Sequence, residues 1–111
     1  MILSTIRMAI PAEKHSDALR ILRSIAMQSR DNPGCLNYHI CRDIEDDNVL
    51  MLQGNWKNEE DLGLHIRSNE YRNLLLILEM SLEQPEVRFD TISNSTGIET
   101  IEKIRSTLSK A

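Results

Sequence analysis

The stretch from residue 31 to residue 56, DNPGCLNYHICRDIEDDNVLMLQGNW, decides the architecture. Asp31-Asn32-Pro33-Gly34 is a stop-and-turn signal, through which no helix continues. Residues 35–43 and 48–56 then read as two strands, with the polar Glu45-Asp46-Asp47-Asn48 turn between them. The pair predicts a hairpin.

The flanking segments read outward from that hairpin. Residues 2–9 form an opening strand. Ile2, Ser4, Ile6 and Met8 share one face of it, and Leu3, Thr5, Arg7 and Ala9 the other. Pro11 stands where a missing N–H costs a helix least. His15, Ala18, Leu19, Leu22, Ile25, Ala26 and Ser29 then recur at three- and four-residue spacing, one face of a long amphipathic helix ending near Arg30. Beyond the hairpin, Asn58 is a good N-cap with Asp61 three residues on, and a short helix follows to about Arg67. Ser68-Asn69 interrupts it. A second helical run from Glu70 is expected to bury Tyr71, Leu74, Leu75, Leu78 and Leu82. Pro85 ends that run, and Glu86 to Ile92 is a fourth strand. Thr96-Gly97-Ile98-Glu99 has the form of a capping box. Residues 98–109 carry Ile101, Ile104 and Leu108 on one stripe.

The order is β-α-β-β-α-β with an added C-terminal helix, an α+β chain on the ferredoxin-like split βαβ plan. Residues 1–95 read as one domain and 96–111 as its helical extension. Helices on one face of a four-stranded sheet leave the other face bare, with Leu3, Thr5 and Arg7 on it. A second copy of the chain is the simplest cover, so the expected assembly is a homodimer with sheets packed face to face.

Composition narrows the partners. Among 111 residues, 13 Lys and Arg stand against 17 Asp and Glu, a formal net charge of -4. That sign disfavours nucleic acid and anionic membrane. No apolar run approaches the ~20 residues that span a bilayer. Met1 to Arg7 lacks a basic segment followed by an apolar one, so the expected location is cytoplasmic. Cys35 and Cys41 lie six residues apart in one strand, roughly 20 Å, too far to bridge, and are expected to be small buried or half-buried side chains. They are expected to share a face with Asn37 and His39. Neither the cysteines nor the three histidines have metal-ligand spacing, and no Gly-rich phosphate loop is present.

Two stretches carry a family resemblance. Asn32-Pro33-Gly34-Cys35-Leu36-Asn37-Tyr38 resembles the turn into an aromatic-bearing second strand. Asn55-Trp56-Lys57-Asn58-Glu59-Glu60-Asp61-Leu62-Gly63-Leu64-His65-Ile66-Arg67-Ser68 ends a strand on Trp and places a His nine positions later. Tyr71 to Leu75 and Pro85-Glu86-Val87 complete the ordered set over about residues 2–92. Together they resemble the antibiotic-biosynthesis-monooxygenase (ABM) domain family, in its quinol-monooxygenase-like branch. The resemblance implies a dimeric α/β-barrel assembly with a pocket between sheet and helices in each subunit. It also implies, for several members, oxidation of phenols or quinols by O₂ without metal or flavin. Haem-degrading relatives use an Asn on the first strand, a Trp on the helix after the third and a His on the next helix. Here Ile2 to Ala9 contains no Asn, and His65 and Leu75 hold the other positions, so that activity is set aside.

A cofactor-free oxygenase deprotonates an electron-rich substrate, and the anion itself reduces O₂. His65 suits the proton role, since imidazole titrates near neutrality. Trp56 offers a flat wall and an N–H donor. Tyr71 can reach the same pocket from the next helix. Asn55 could orient a substrate oxygen, but strand alternation puts it opposite Trp56 unless the strand end is bulged. The alternatives are a non-catalytic module that binds a small metabolite or serves a stress response, and an isomerase using His65 as its proton carrier.

Overall fold

The computed structural model describes residues 1–109, with side chains through Thr107. Its elements are β1 (Ile2–Ala9), α1 (His15–Arg30), β2 (Cys35–Arg42), β3 (Val49–Trp56), α2 (Glu59–Ile66), α3 (Asn69–Leu78), β4 (Glu86–Thr91) and α4 (Ile98–Ser109). This is an α+β ferredoxin-like fold with a C-terminal helix added. A turn of 3₁₀ helix, Ala12–Lys14, follows Pro11, so α1 proper opens at His15. The His15 Nε2 lies 2.7 Å from the Ile10 carbonyl oxygen, which ties the helix start to the end of β1.

The sheet order is β2-β3-β1-β4, and every neighbouring pair is antiparallel. Register aligns Ile2 with Trp56 and Thr91, Ser4 with Gly54 and Phe89, and Ile6 with Leu52 and Val87. The helices pack on this face. Ile2, Ser4, Ile6 and Met8 are buried, as their alternation requires. Leu22 and Ile25 of α1, Leu74 and Ile77 of α3, and Leu50, Leu52 and Trp56 of β3 complete the core. The opposite face carries Leu3, Thr5 and Arg7, and no helix among the described residues packs on it; these residues are half-buried.

Four expectations change. The extra residue of a β-bulge falls between Cys35 and Asn37. It turns Cys35 to the helix side, against the core, while Asn37, His39 and Cys41 stay on the open face. Cys41 is exposed rather than half-buried, and both thiols are free. In α3 the buried residues are Tyr71, Leu74 and Ile77, while Leu75 faces solvent. Residues spaced three apart lie over the sheet, and Leu75 falls just outside that stripe. Leu82 is exposed because the helix has ended at Leu78.

α4 stands away from the body. The radius of gyration is 16.9 Å, against ~13 Å for a compact chain of this length. Ile98, Ile101 and Ile104 are exposed; the side chain of Leu108 lies outside the described residues. The helix covers the same residues, 98–109, that the sequence suggests. The Glu99 carboxylate accepts from the Gly97 N–H at 2.8 Å, and this bond holds its pKa below the usual carboxylate range.

Candidate functional site

α2 is short, and its position is fixed from its first turn. The Asn58 side chain accepts from the Asp61 N–H at 2.9 Å. The Lys57 N–H donates to the Gly34 carbonyl at 2.9 Å. Gly34 must lack a Cβ, because one there would collide with the Asp61 side chain. The Asn-Pro-Gly turn therefore seats the start of α2, and two turns later the helix delivers His65 to the interior.

His65 is only 7% exposed and is enclosed by three other rings. Its imidazole stacks on the Trp56 indole, centroids 4.5 Å apart and planes 25° from parallel. Tyr38 meets it edge-on at 5.4 Å, and Tyr71 edge-on at 5.1 Å. The four rings come from β2, β3, α2 and α3. Polar groups approach both nitrogens. Tyr38 Oη lies 3.5 Å from Nε2, and Ser29 Oγ on α1 lies 3.5 Å from Nδ1. The Ser29 hydroxyl itself donates to the Ile25 carbonyl at 2.7 Å.

The Trp56 N–H is buried and has no hydrogen-bond partner among the described residues. A buried donor without an acceptor costs stability, so this one marks a place where a ligand oxygen would fit. Gly54 keeps the space in front of it. A Cβ there would stand 2.7 Å from Tyr38 Cδ2 and 3.0 Å from the indole nitrogen.

The four rings of the site are uncharged at neutral pH. Burial pulls the His65 pKa down to about 4, with the nearby Glu70 carboxylate opposing. Burial pushes the Tyr38 phenol well above its ordinary value; Tyr71 and Cys35 add to the rise and the Ser29 hydroxyl works against it. Burial raises Tyr71 in the same sense. At neutral pH the site therefore presents an uncharged imidazole and two un-ionised phenols.

An open cavity flanks His65 on one side and a closed seam on the other. On the α1 side a cavity of about 160 Å³ is lined by Gln28, Ser29, Asn32, Trp56, Ser68 and Glu70. On the sheet side a narrower crevice runs past Ser4, Tyr38, Leu62 and Tyr71 to the half-exposed Phe89 on β4. Among the described residues, no three His, Cys, Asp or Glu side chains converge as metal ligands would.

Of the residues singled out from sequence, His65, Trp56 and Tyr71 come together. Asn55 does not join them. Its side chain donates to Asn37 Oδ1 at 2.8 Å on the open face of the sheet. The bulge that would have turned a residue at this end lies in β2, not β3. His15 and His39 lie elsewhere. Two site residues were not anticipated, Tyr38 and Ser29. Ser29 carried a signal, a hydroxyl on an otherwise apolar helical stripe. Tyr38 carried none stronger than its place opposite Gly54, which only the strand register reveals.

Fold and site define a ferredoxin-like α+β domain that encloses a neutral histidine among aromatic rings between sheet and helices. The chain belongs to the antibiotic biosynthesis monooxygenase family, whose sequence profile matches residues 1–75. Solved structures agree in fold. A candidate antibiotic biosynthesis monooxygenase from Deinococcus radiodurans superposes with a TM-score of 0.80 at 18% identity, covering 88% of this chain and 98% of its own. A conserved protein from Methanosarcina mazei Go1 gives 0.75 at 22% identity, covering 80% and 89%. A further antibiotic biosynthesis monooxygenase gives 0.76 at 20% identity, covering 85% and 100%. No curated protein sequence matches the chain. No helix among the described residues is long and apolar enough to cross a membrane.

Proposed function

We propose that the protein is a cofactor-independent monooxygenase acting on a small, single-ring quinol or phenol, and that it works as a cytoplasmic homodimer. One observation carries the reading: a buried, neutral His65 stacked on Trp56, whose N–H has no acceptor among the described residues. The substrate enters past Phe89 along the sheet-side seam, whose side chains part to admit it, with Leu62 and Ile6 against its ring. The substrate hydroxyl gives its proton to His65, and the Trp56 N–H receives the developing anion. An imidazole with a pKa near 4 is a weak base in the empty site. An anion forming beside it, with Glu70 close by, raises its affinity for the proton. The anion then reduces O₂. One oxygen atom enters the ring, and the other leaves as water with two hydrogens of the substrate. The walls of the crevice keep bulk water from the intermediate.

The half-buried open face of the sheet supports the homodimer, and the two free cysteines suit a reducing compartment. Oxygen uptake with a panel of single-ring quinols tests the reading. Consumption is expected, with a loss on the order of 10²–10⁴ in His65→Ala. No consumption by the wild type, together with quinol-dependent thermal stabilisation, would instead define a binding module.

A further inference from the structure

The proposed proton transfer requires one bare nitrogen on His65, and α1 determines which. Ser29 is 5% exposed and lies in the last turn of α1. Its hydroxyl has a single proton, and the 2.7 Å contact to the Ile25 carbonyl can be made only by donating it. The serine oxygen is then left as an acceptor facing His65 Nδ1 at 3.5 Å. That contact is favourable only if Nδ1 carries the ring hydrogen. A neutral imidazole has one N–H, so Nε2 is bare. The contact on the other side agrees. Nε2 lies 3.5 Å from the Tyr38 hydroxyl, a group that burial keeps protonated and able to donate. The opposite tautomer would turn the Ser29 proton toward Nδ1 at 3.5 Å and give up the 2.7 Å bond to Ile25.

We infer that Ser29 is a positioning residue: it holds His65 as the Nδ1–H tautomer and leaves Nε2, beside Tyr38, as the nitrogen that takes up the substrate proton. The catalytic consequence rests on the monooxygenase reading, whereas the tautomer rests on geometry alone. Tyr38 and Tyr71 both line the sheet-side crevice, so Nε2 points to the side from which the proposed substrate arrives. In the empty site the Tyr38 hydroxyl holds the place that a substrate hydroxyl takes. Nδ1 lies toward Ser29, which lines the cavity on the α1 side together with Glu70. Ser29 touches neither the crevice nor the reacting atoms; its effect passes through His65.

The test is ¹H–¹⁵N correlation NMR of histidine-labelled protein at neutral pH, which distinguishes the two ring nitrogens by their protonation. The wild type is expected to show His65 as a predominant Nδ1–H form. Ser29→Ala, which removes the acceptor, is expected to shift the tautomer ratio about fivefold toward Nε2–H. Ser29→Thr keeps the hydroxyl and is expected to keep the wild-type pattern. An Nε2–H form in the wild type, or an unchanged ratio in Ser29→Ala, would overturn the inference. Because this readout needs no turnover, it separates from oxygen uptake. An Nδ1–H His65 in a protein that consumes no oxygen would sink the monooxygenase reading and leave Ser29's role standing.

Discussion

The His65 imidazole lies against the Trp56 indole with ring centroids 4.5 Å apart, and this contact joins the end of β3 to the end of α2. Nine residues separate the two side chains in sequence. The Asn58 cap, the Gly34 seat and two turns of helix close that interval into a stack. Trp56 is thus both the largest fully buried side chain and one wall of the candidate site.

Trp56→Ala is expected to lower unfolding free energy by about 3–5 kcal/mol in urea titration, since the void cannot fill without moving His65. Trp56→Phe keeps a ring beneath the imidazole and removes only the N–H. It is expected to cost far less stability while still lowering oxygen consumption. Equal losses of stability in the two variants would show that the full indole, not merely a ring beneath the imidazole, is needed for the stack.

The lowered pKa of His65 makes stability depend on pH in a definite direction. The unfolded chain takes up a proton near pH 6.5, whereas the folded one resists it until about 4. The contribution is complete above pH 6.5 and is lost as pH falls through 4. The wild-type Tm is therefore expected to drop more steeply across this window than that of His65→Gln, followed by thermal denaturation in matched buffers. Parallel curves would mean that His65 is not held neutral by burial.

Gly54→Ala tests the gap before the indole. The new methyl meets Tyr38 Cδ2 at 2.7 Å, and a core ring cannot yield that distance freely. A loss of about 1–3 kcal/mol is expected, along with displacement of Tyr38 from His65. A neutral substitution would show that the two rings are loosely held.

Much of this arrangement was legible in the sequence. The Asn-Pro-Gly turn, the Asn58 cap and the alternation of Ile2, Ser4, Ile6 and Met8 each act over a few residues, and each appears in the fold as read. The interval from Trp56 to His65 located the centre of the site for the same reason. What escaped was non-local. The bulge at Cys35 is set by pairing with β3, so the face of Cys35 could not be read from β2 alone. Tyr38 reaches His65 only because the sheet order sets β2 beside β3, and Ser29 only because α1 packs across that pair. Leu75 was misassigned because packing narrows the buried stripe of α3 to Tyr71, Leu74 and Ile77, and Leu82 because an apolar stripe does not reveal where a helix stops.

The open sheet face bears on assembly. Leu3 and Arg7 of β1 pair with Asn55 and Met51 of β3 on that surface, where no helix among the described residues packs on them. Sedimentation velocity at micromolar concentration is expected to give a dimer, and Leu3→Asp to shift it toward monomer by placing a charge in the packed faces. A wild-type monomer would refute the homodimer.

On the proposed mechanism the site inserts one atom of O₂ into a small phenolic ring using His65 and no added cofactor. Turnover of a single-ring quinol under ¹⁸O₂, read by mass spectrometry, tests it most directly. The expected product gains one labelled oxygen atom, the second label appears in water, and His65→Ala forms at least tenfold less of both. A product without label, or equal labelling by His65→Ala, would contradict the account.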